Sequence, residues 1–436
     1  MRNKSTRRVF LGQLGIGLWA VGGARRACAG SSGDKLNVAL IGVGGRGWDN
    51  FTAMRGENIV ALCDVDEAHA GGAFKAMPDV PKFADYRQMF DRMHKQIDAV
   101  VISTPDHMHA IMTLAAMQLG KHVYCEKPLT HTVAEARRVA QATAKYKVVT
   151  QMGNGGNALA GSRRTVELLR ARAIGEVREV HVWTDRPGSY WRNALDRPTD
   201  TPPVPKTLHW DLWLGVAQAR PYHPAYLPAV WRGWFDFGTG ALGDIACHSC
   251  NTMFWGLGLR DPTSVEAETS ERHKESFPAW SRIKWQFPAR DGRGPVTVFW
   301  YDGGQKPTGD VLDGQPPGDN GVVFVGDKGR MRINGRYQPS LLPEKDFAGY
   351  TPPPKTLPDS PGHHEEWIRN CKNGDLGLDY MSHFGRAGLM TEAVLLGNIP
   401  VRTGKRIEWD PTNMKITNAP ELNDLLDMPY RQGWKP

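Results

Sequence analysis

Scarcity narrows the reading first. There are only six cysteines, at positions 28, 63, 125, 247, 250 and 371. Five remain if the first leaves with a leader, and an odd number without regular spacing is no disulfide framework. Cys247 and Cys250 form a lone pair in helix-like sequence, so they read as small buried residues rather than a metal or redox motif. The apolar run at 11–23 is glycine-rich and too short to cross a bilayer comfortably, which argues against stable membrane insertion. Acidic residues are absent before position 30, where Arg2, Lys4, Arg7, Arg8, Arg25 and Arg26 supply most of the net charge of +8. Without those six the balance is about +2, so charge gives no reason to expect a nucleic-acid partner.

The basic opening has a reading of its own. Arg7 and Arg8, in STRRVFL, resemble a twin-arginine export signal, and Ala27-Cys28-Ala29 offers a cleavage site. Residues 1–29 are therefore expected to be a leader, and the protein to be exported already folded, to the periplasm or an equivalent compartment. The 436 residues suit two domains. The 15 Trp, 48 Gly and 31 Pro suggest aromatic surfaces carried on long, turn-rich loops.

Residues 36–41 form a short apolar run, as expected of a strand buried on both faces of a parallel sheet. Directly after it, Gly42-x-Gly44-x-x-Gly47 has the spacing that lets backbone approach a pyrophosphate at the start of a helix. A second run, 58–63, ends in Asp64, about twenty residues past the first glycine, where a carboxylate can accept ribose hydroxyls and disfavour a 2′-phosphate. Further strands are read at 97–102, 122–125 and 147–151, with helices at 110–119 and 134–145. That alternation specifies a doubly wound parallel sheet over residues 30–155. Lys127, just ahead of Pro128, falls at a strand end, where such sheets bind ligands.

Together, the glycine turn, Thr104-Pro105-Asp106-x-x-His109, Gly120-Lys121-His122-Val123 and Glu126-Lys127-Pro128 resemble the glucose-fructose oxidoreductase, inositol dehydrogenase and rhizopine-catabolism (Gfo/Idh/MocA) family. Asp106 stands where that family often has Asn. The resemblance implies NAD as cofactor, with contacts at Gly42, Gly44, Arg46, Gly47, Asp64, Ser103, Thr104, Pro105, His109, Glu126, Lys127, Gln151 and Asn154. It also implies an α/β architecture: an N-terminal Rossmann domain, then a C-terminal α+β domain over 156–436. The sheet of that second domain is expected to be open and mostly antiparallel, with an outer face that mediates a homodimer or homotetramer.

In the second half, 162–172 reads as a helix and 177–184 as a strand with one solvated face. Residues 185–237 form a long excursion rich in proline and aromatics, too long for an idle loop. Flat rings among polar groups suit a carbohydrate, so Tyr190, Trp191, Arg192, His223, Trp231 and Arg232 are candidate substrate residues. Next, Gly240, Asp244 and His248 place a carboxylate and an imidazole on one helical face near its start. They match the family's G-x-x-x-D-x-x-x-H helix, which faces the cofactor. A His363, His364 and Glu366 metal site is weighed against solvated helix-start residues, and the latter reading is favoured.

The chemistry expected is oxidation of a sugar or polyol hydroxyl. Either His248 or Lys127 takes the hydroxyl proton, Lys127 can also stabilise the alkoxide, and Asp244 orients substrate or imidazole. Relatives resembling this chain also include redox-neutral NAD-dependent glycosidases, which oxidise transiently, eliminate, add water and re-reduce. Such a cycle needs one more base, for which His223 or Tyr190 is the guess. A non-catalytic sugar sensor is a minor alternative.

Overall fold

The computed structural model describes residues 35–335 and 337–435. The expected leader at 1–29 lies outside them.

Six parallel strands make the first sheet: β1 Asn37–Ile41, β2 Asn58–Cys63, β3 Lys82–Phe83, β4 Ala99–Ile102, β5 His122–Cys125 and β6 Thr150–Met152. Their order is β3-β2-β1-β4-β5-β6. The chain runs outward from β1, then returns to its other side at β4, so a crevice opens beyond the carboxyl ends of β1 and β4. β4 is buried at every residue and β1 at all but its first, as their uninterrupted apolar sequence requires. The expected strand over 147–151 starts later, because Lys147 takes a left-handed conformation that ends the helix Val133–Tyr146.

Nine strands make the second sheet: β7 Val177–Trp183, β8 Ser264–Thr269, β9 Ser281–Phe287, β10 Val296–Tyr301, β11 Gly321–Gly326, β12 Arg330–Ile333, β13 Pro339–Leu342, β14 Ile407–Asp410 and β15 Lys415–Ile416. The order is β13-β12-β11-β7-β10-β9-β8-β14-β15, antiparallel except where β7 meets β10. β7 is exposed only at Arg178 and Glu179 and is buried from Val180 onward, so the solvated face expected of it is confined to its start. It is central, and Trp183 is covered by Leu312 and Val323.

Two helices from late in the chain lock the units together. Helix Phe384–Leu395 lies on Val133–Tyr146 so closely that a Cβ on Gly388 would stand 2.8 Å from the Ala140 Cβ. Helix His363–Asn373 is a correction to the solvated reading: Trp367, Ile368 and Cys371 pack with Val38 and Leu40 in the core of the first unit. His363 is buried with Nε2 on the Met152 carbonyl (2.9 Å), His364 stacks on Tyr124, and Glu366 pairs with Arg163. The excursion at 185–237 also has a core, in which Leu208, Trp213, Tyr226, Trp231, Trp234 and Phe237 pack together. It is tied to the first sheet by backbone bonds from His209 to Val65 and from Glu67 to Thr207.

Candidate active site

One cavity of about 610 Å³ opens at the β1–β4 crevice and runs between the two units. At its base is the glycine turn. Gly42 has φ +79°, and a Cβ there would lie 2.7 Å from the Ser103 carbonyl oxygen. Gly45 precedes helix Arg46–Ala53 and offers no side-chain cap; the Gly47 and Trp48 amides turn back onto the Gly44 and Gly45 carbonyls (2.8 and 3.0 Å), which leaves the Gly45 and Arg46 amides for an anion. Asp64 ends β2 and accepts the amides of Val43 (2.9 Å) and Asp66 (3.0 Å), which fixes the turn against the next strand. Burial raises its carboxyl above the ordinary range despite those amides.

A buried polar cluster holds the turn from the far side. Glu126 Oε1 accepts from Arg46 Nε (2.9 Å) and Asn50 Nδ2 (3.0 Å), while Asn50 also reaches Ser103 Oγ (2.8 Å) and meets His364. Burial alone would raise the Glu126 carboxyl, but the Arg46 charge and the Asn50 bond hold it lower. Asn50 sits one helical turn beyond Arg46 and was not singled out in the sequence; that spacing is the signal that could have found it.

At the other end, Lys127 Nζ reaches Asp244 Oδ1 (2.5 Å) and the Asp244 carbonyl (2.9 Å), and Arg232 Nε donates to the same Oδ1 (2.8 Å). Burial would raise the Asp244 carboxyl, yet the two cations hold it well below the carboxylate range. Asp244 is therefore engaged by the Lys127 ammonium and Arg232 rather than by the His248 imidazole, which corrects the imidazole half of that expectation. His248 lines the same cavity, in the last turn of helix Gly240–Ser249 rather than near its start. Burial and the Lys127 charge lower it to about 4, so it is neutral near pH 7. Asp106 also lines the cavity and accepts from the Thr239 amide (3.1 Å) and Oγ1 (2.6 Å), joining the loop after β4 to the Asp244 helix.

Gly42, Gly44, Arg46, Asp64, Ser103, Thr104, Pro105, Glu126 and Lys127 line this cavity, as do Tyr190, Trp231 and Arg232. The remaining expected contacts lie elsewhere. Gly47 sits beneath the turn. His109 spans the Thr104 and Pro128 carbonyls (2.8 and 2.7 Å) and so braces the Lys127 loop. Gln151 is buried against the His363 carbonyl. Asn154 is buried beside the lining residues Gly153 and Gly155, and its side-chain amide has no protein partner. Trp191 is a core residue bonded to Asn193, Arg192 points away into solvent, and His223 caps a turn through Nδ1 while Nε2 faces Asp200 at 3.2 Å. His223 is not among the residues lining the cavity, whereas Tyr190, half exposed, stands at its wall.

The donor set fits a dinucleotide: leading amides at a helix start with no side-chain cap, a carboxylate just past the end of β2, and an orphaned side-chain amide at Asn154. Gly47 is the most sensitive point. A Cβ there would come within 2.1 Å of the Gly42 carbonyl oxygen. Gly47→Ala is expected to weaken NAD by about five- to a hundredfold, since overpacking of this kind costs about 1–3 kcal/mol. Titration of bound-NADH fluorescence measures it, and an unchanged Kd contradicts the packing argument.

Comparison with known proteins points the same way. Residues 36–154 match the model described as oxidoreductase family, NAD-binding Rossmann fold, and residues 186–329 match that family's C-terminal alpha/beta domain. The two cover more than half of the chain. A glycosyl hydrolase family 109 protein of Solibacter usitatus is 35% identical over 140 residues, 29% of this chain and 32% of that protein. Inositol 2-dehydrogenase of Salmonella typhimurium is 31% identical over 124 residues, 27% and 36% of the two chains. These matches span about a third of the relatives' own length. Among solved structures, the WlbA dehydrogenase of Bordetella pertussis, in complex with NADH and UDP-GlcNAcA, superposes with a TM-score of 0.60 at 18% identity, covering 86% of this chain and 99% of that one. Aldose-aldose oxidoreductase of Caulobacter crescentus, complexed with glycerol, gives 0.54 at 17%, with 86% and 99% covered. At such identities the likeness is one of fold.

Proposed function

The chain belongs to the Gfo/Idh/MocA family of NAD-binding oxidoreductases, and from that premise we propose that it oxidises a hydroxyl of a sugar, polyol or glycoside with NAD that stays bound through turnover. The observation that carries this is the Lys127–Asp244 pair at 2.5 Å, in the same cavity as the glycine turn. NAD bound there supplies the hydride acceptor. The Lys127 ammonium, fixed by Asp244, stabilises the alkoxide that develops as the C–H bond breaks. His248, neutral and close by, accepts the hydroxyl proton, and Arg232 keeps Asp244 ionised. Export, expected from Arg7 and Arg8, would separate the protein from free NAD, which favours a retained cofactor.

A second reading is favoured by the glycosyl hydrolase family 109 relative. The same residues, with Tyr190 as the extra base that removes the proton from the carbon beside the transient ketone, would oxidise a ring hydroxyl, expel the glycosidic substituent, add water and return the hydride. NAD-loaded protein given aryl glycosides without added NAD releases phenol under this second reading alone. A stoichiometric rise at the reduced-nicotinamide band with free sugar, without cleavage, is the result for the first.

The pH profile tests the proposed base. With His248 lowered to about 4, the acid limb of kcat/KM is expected near pH 4, not near 6.5. The linkage has a matching sign. Unfolded His248 binds a proton below about 6.5, where folded His248 resists it until about 4, so its effect is to reduce stability as pH falls through that window. A His248→Gln protein that kept the same acid limb would remove the imidazole from the proposal.

A further inference from the structure

The end of the cavity beyond Asp64 has a wall that comes from the far end of the chain. Trp434 lines the cavity there with Asp85, Tyr86 and Leu212, and is itself buried. Its ring is held from the outside by Arg87, whose guanidinium carbon lies 4.2 Å from the ring centroid. Arg87 is fixed in turn on Asp85, through Nε (3.0 Å to Oδ1) and Nη2 (2.7 Å to Oδ2). The indole is thus placed rather than loosely exposed.

The segment carrying it is anchored to the aromatic excursion and, through Tyr430 Oη donating to Glu135 Oε1 (2.5 Å), to the first unit, but not to the glycine turn. The Arg431 amide bonds to the Val216 carbonyl (3.0 Å), Arg431 Nε to the Gly215 carbonyl (3.0 Å) and Nη2 to the Asp211 carbonyl (2.8 Å). The Trp434 amide then closes a turn onto the Arg431 carbonyl (3.1 Å). Leu212 and Trp213, which line the same cavity, belong to the excursion segment that Arg431 grips.

We propose that Trp434 is a cofactor-binding residue that closes the adenosine end of the cleft, and that Arg431 latches it there. The assignment rests on the NAD reading above. A dinucleotide with its pyrophosphate on the glycine turn and a ribose at Asp64 must put its base beyond the end of β2. A purine offers two apolar faces, and the groups waiting there are an indole and a leucine. In this arrangement the Arg431 bonds to the excursion hold the 430–434 segment over the base, so the latch slows release, as a cofactor retained through many turnovers requires.

The test uses the full chain with Trp434→Ala, Trp434→Phe and Arg431→Ala. Base stacking on an aromatic ring is worth enough that its loss should weaken ADP-ribose about tenfold or more. Release of bound NADH, chased with excess NAD and followed by fluorescence, should be faster by about the same factor in Trp434→Ala. It should also be faster in Arg431→Ala, while Trp434→Phe stays close to wild type. Binding of nicotinamide mononucleotide, which does not reach this end, should not change. If Trp434→Ala melts like wild type and holds ADP-ribose and NADH as tightly, the assignment is overturned. If Trp434→Ala does not fold, Arg431→Ala with unchanged NADH release overturns the latch, and Trp434→Phe with release as fast as Arg431→Ala overturns the wall. A wild-type protein that binds no NADH at all overturns instead the functional reading on which this rests.

Discussion

Lys127→Ala is expected to lose about three orders of magnitude in kcat, the range seen when a charge that meets a developing oxyanion or a proton-transfer group is removed. NAD affinity should change little, because the ammonium is engaged by Asp244 at the substrate end and not by the glycine turn. The expected pattern is therefore a bound cofactor with little chemistry. Single-turnover absorbance at the reduced-nicotinamide band reads the first quantity, and NADH fluorescence titration the second. Arginine would not rescue the loss: its planar fork does not fit a site built for a compact ammonium held by one carboxylate oxygen and one carbonyl. Full turnover in Lys127→Ala would dismiss the proposed chemistry, whereas a protein that lost NAD as well would relocate Lys127 to cofactor binding.

Asp244→Ala is expected to be the more damaging change to the fold. It leaves Lys127 and Arg232, with side chains only 12% and 14% exposed, facing each other without a counter-ion. Stranding buried charge in this way costs about 3–5 kcal/mol, and activity should fall with the misplaced ammonium. Asp244→Asn keeps an acceptor but not the charge, so it should be intermediate in stability and still poor in turnover. The pH dependence carries a sign. The Asp244 carboxyl is depressed in the folded protein, so its contribution is present above the unfolded value of 3.8 and is lost as pH falls through the lower folded one. Denaturant midpoints of wild type and Asp244→Asn should therefore be well separated at pH 6 and begin to approach each other only as pH falls below about 4. Parallel curves with no convergence would show that the ion pair is not what Asp244 contributes.

β1, β2, β4 and β5 were legible because they are largely buried on both faces and read as short apolar runs, whereas the two-residue β3, with Lys82 exposed, carries no such run. β9 also carried a signal: Arg282, Lys284 and Gln286 alternate with buried Ile283, Trp285 and Phe287. What the order of residues could not supply was who meets whom. Trp191, His223 and Trp231 are the same kinds of residue in the same excursion. Only their distant partners decide that the first is core, the second a turn cap and the third a cavity wall. His363 and His364 look solvated from their polar neighbours, yet Tyr124, more than two hundred residues earlier, offers them a ring to pack against. Arg232 and Lys127 converge on Asp244 from separate segments, and Trp434 arrives from the opposite end of the chain. Contacts at that range are set by the packing of the two units, which no local period encodes.

The most direct examination is a crystal structure of the full chain grown with NAD. Density is expected for a pyrophosphate on the amides that follow Gly44, a ribose at Asp64, and a nicotinamide ring beside the Lys127 ammonium with His248 facing the same space. A dinucleotide bound elsewhere, or one whose nicotinamide lies remote from Lys127, would contradict the account at its root.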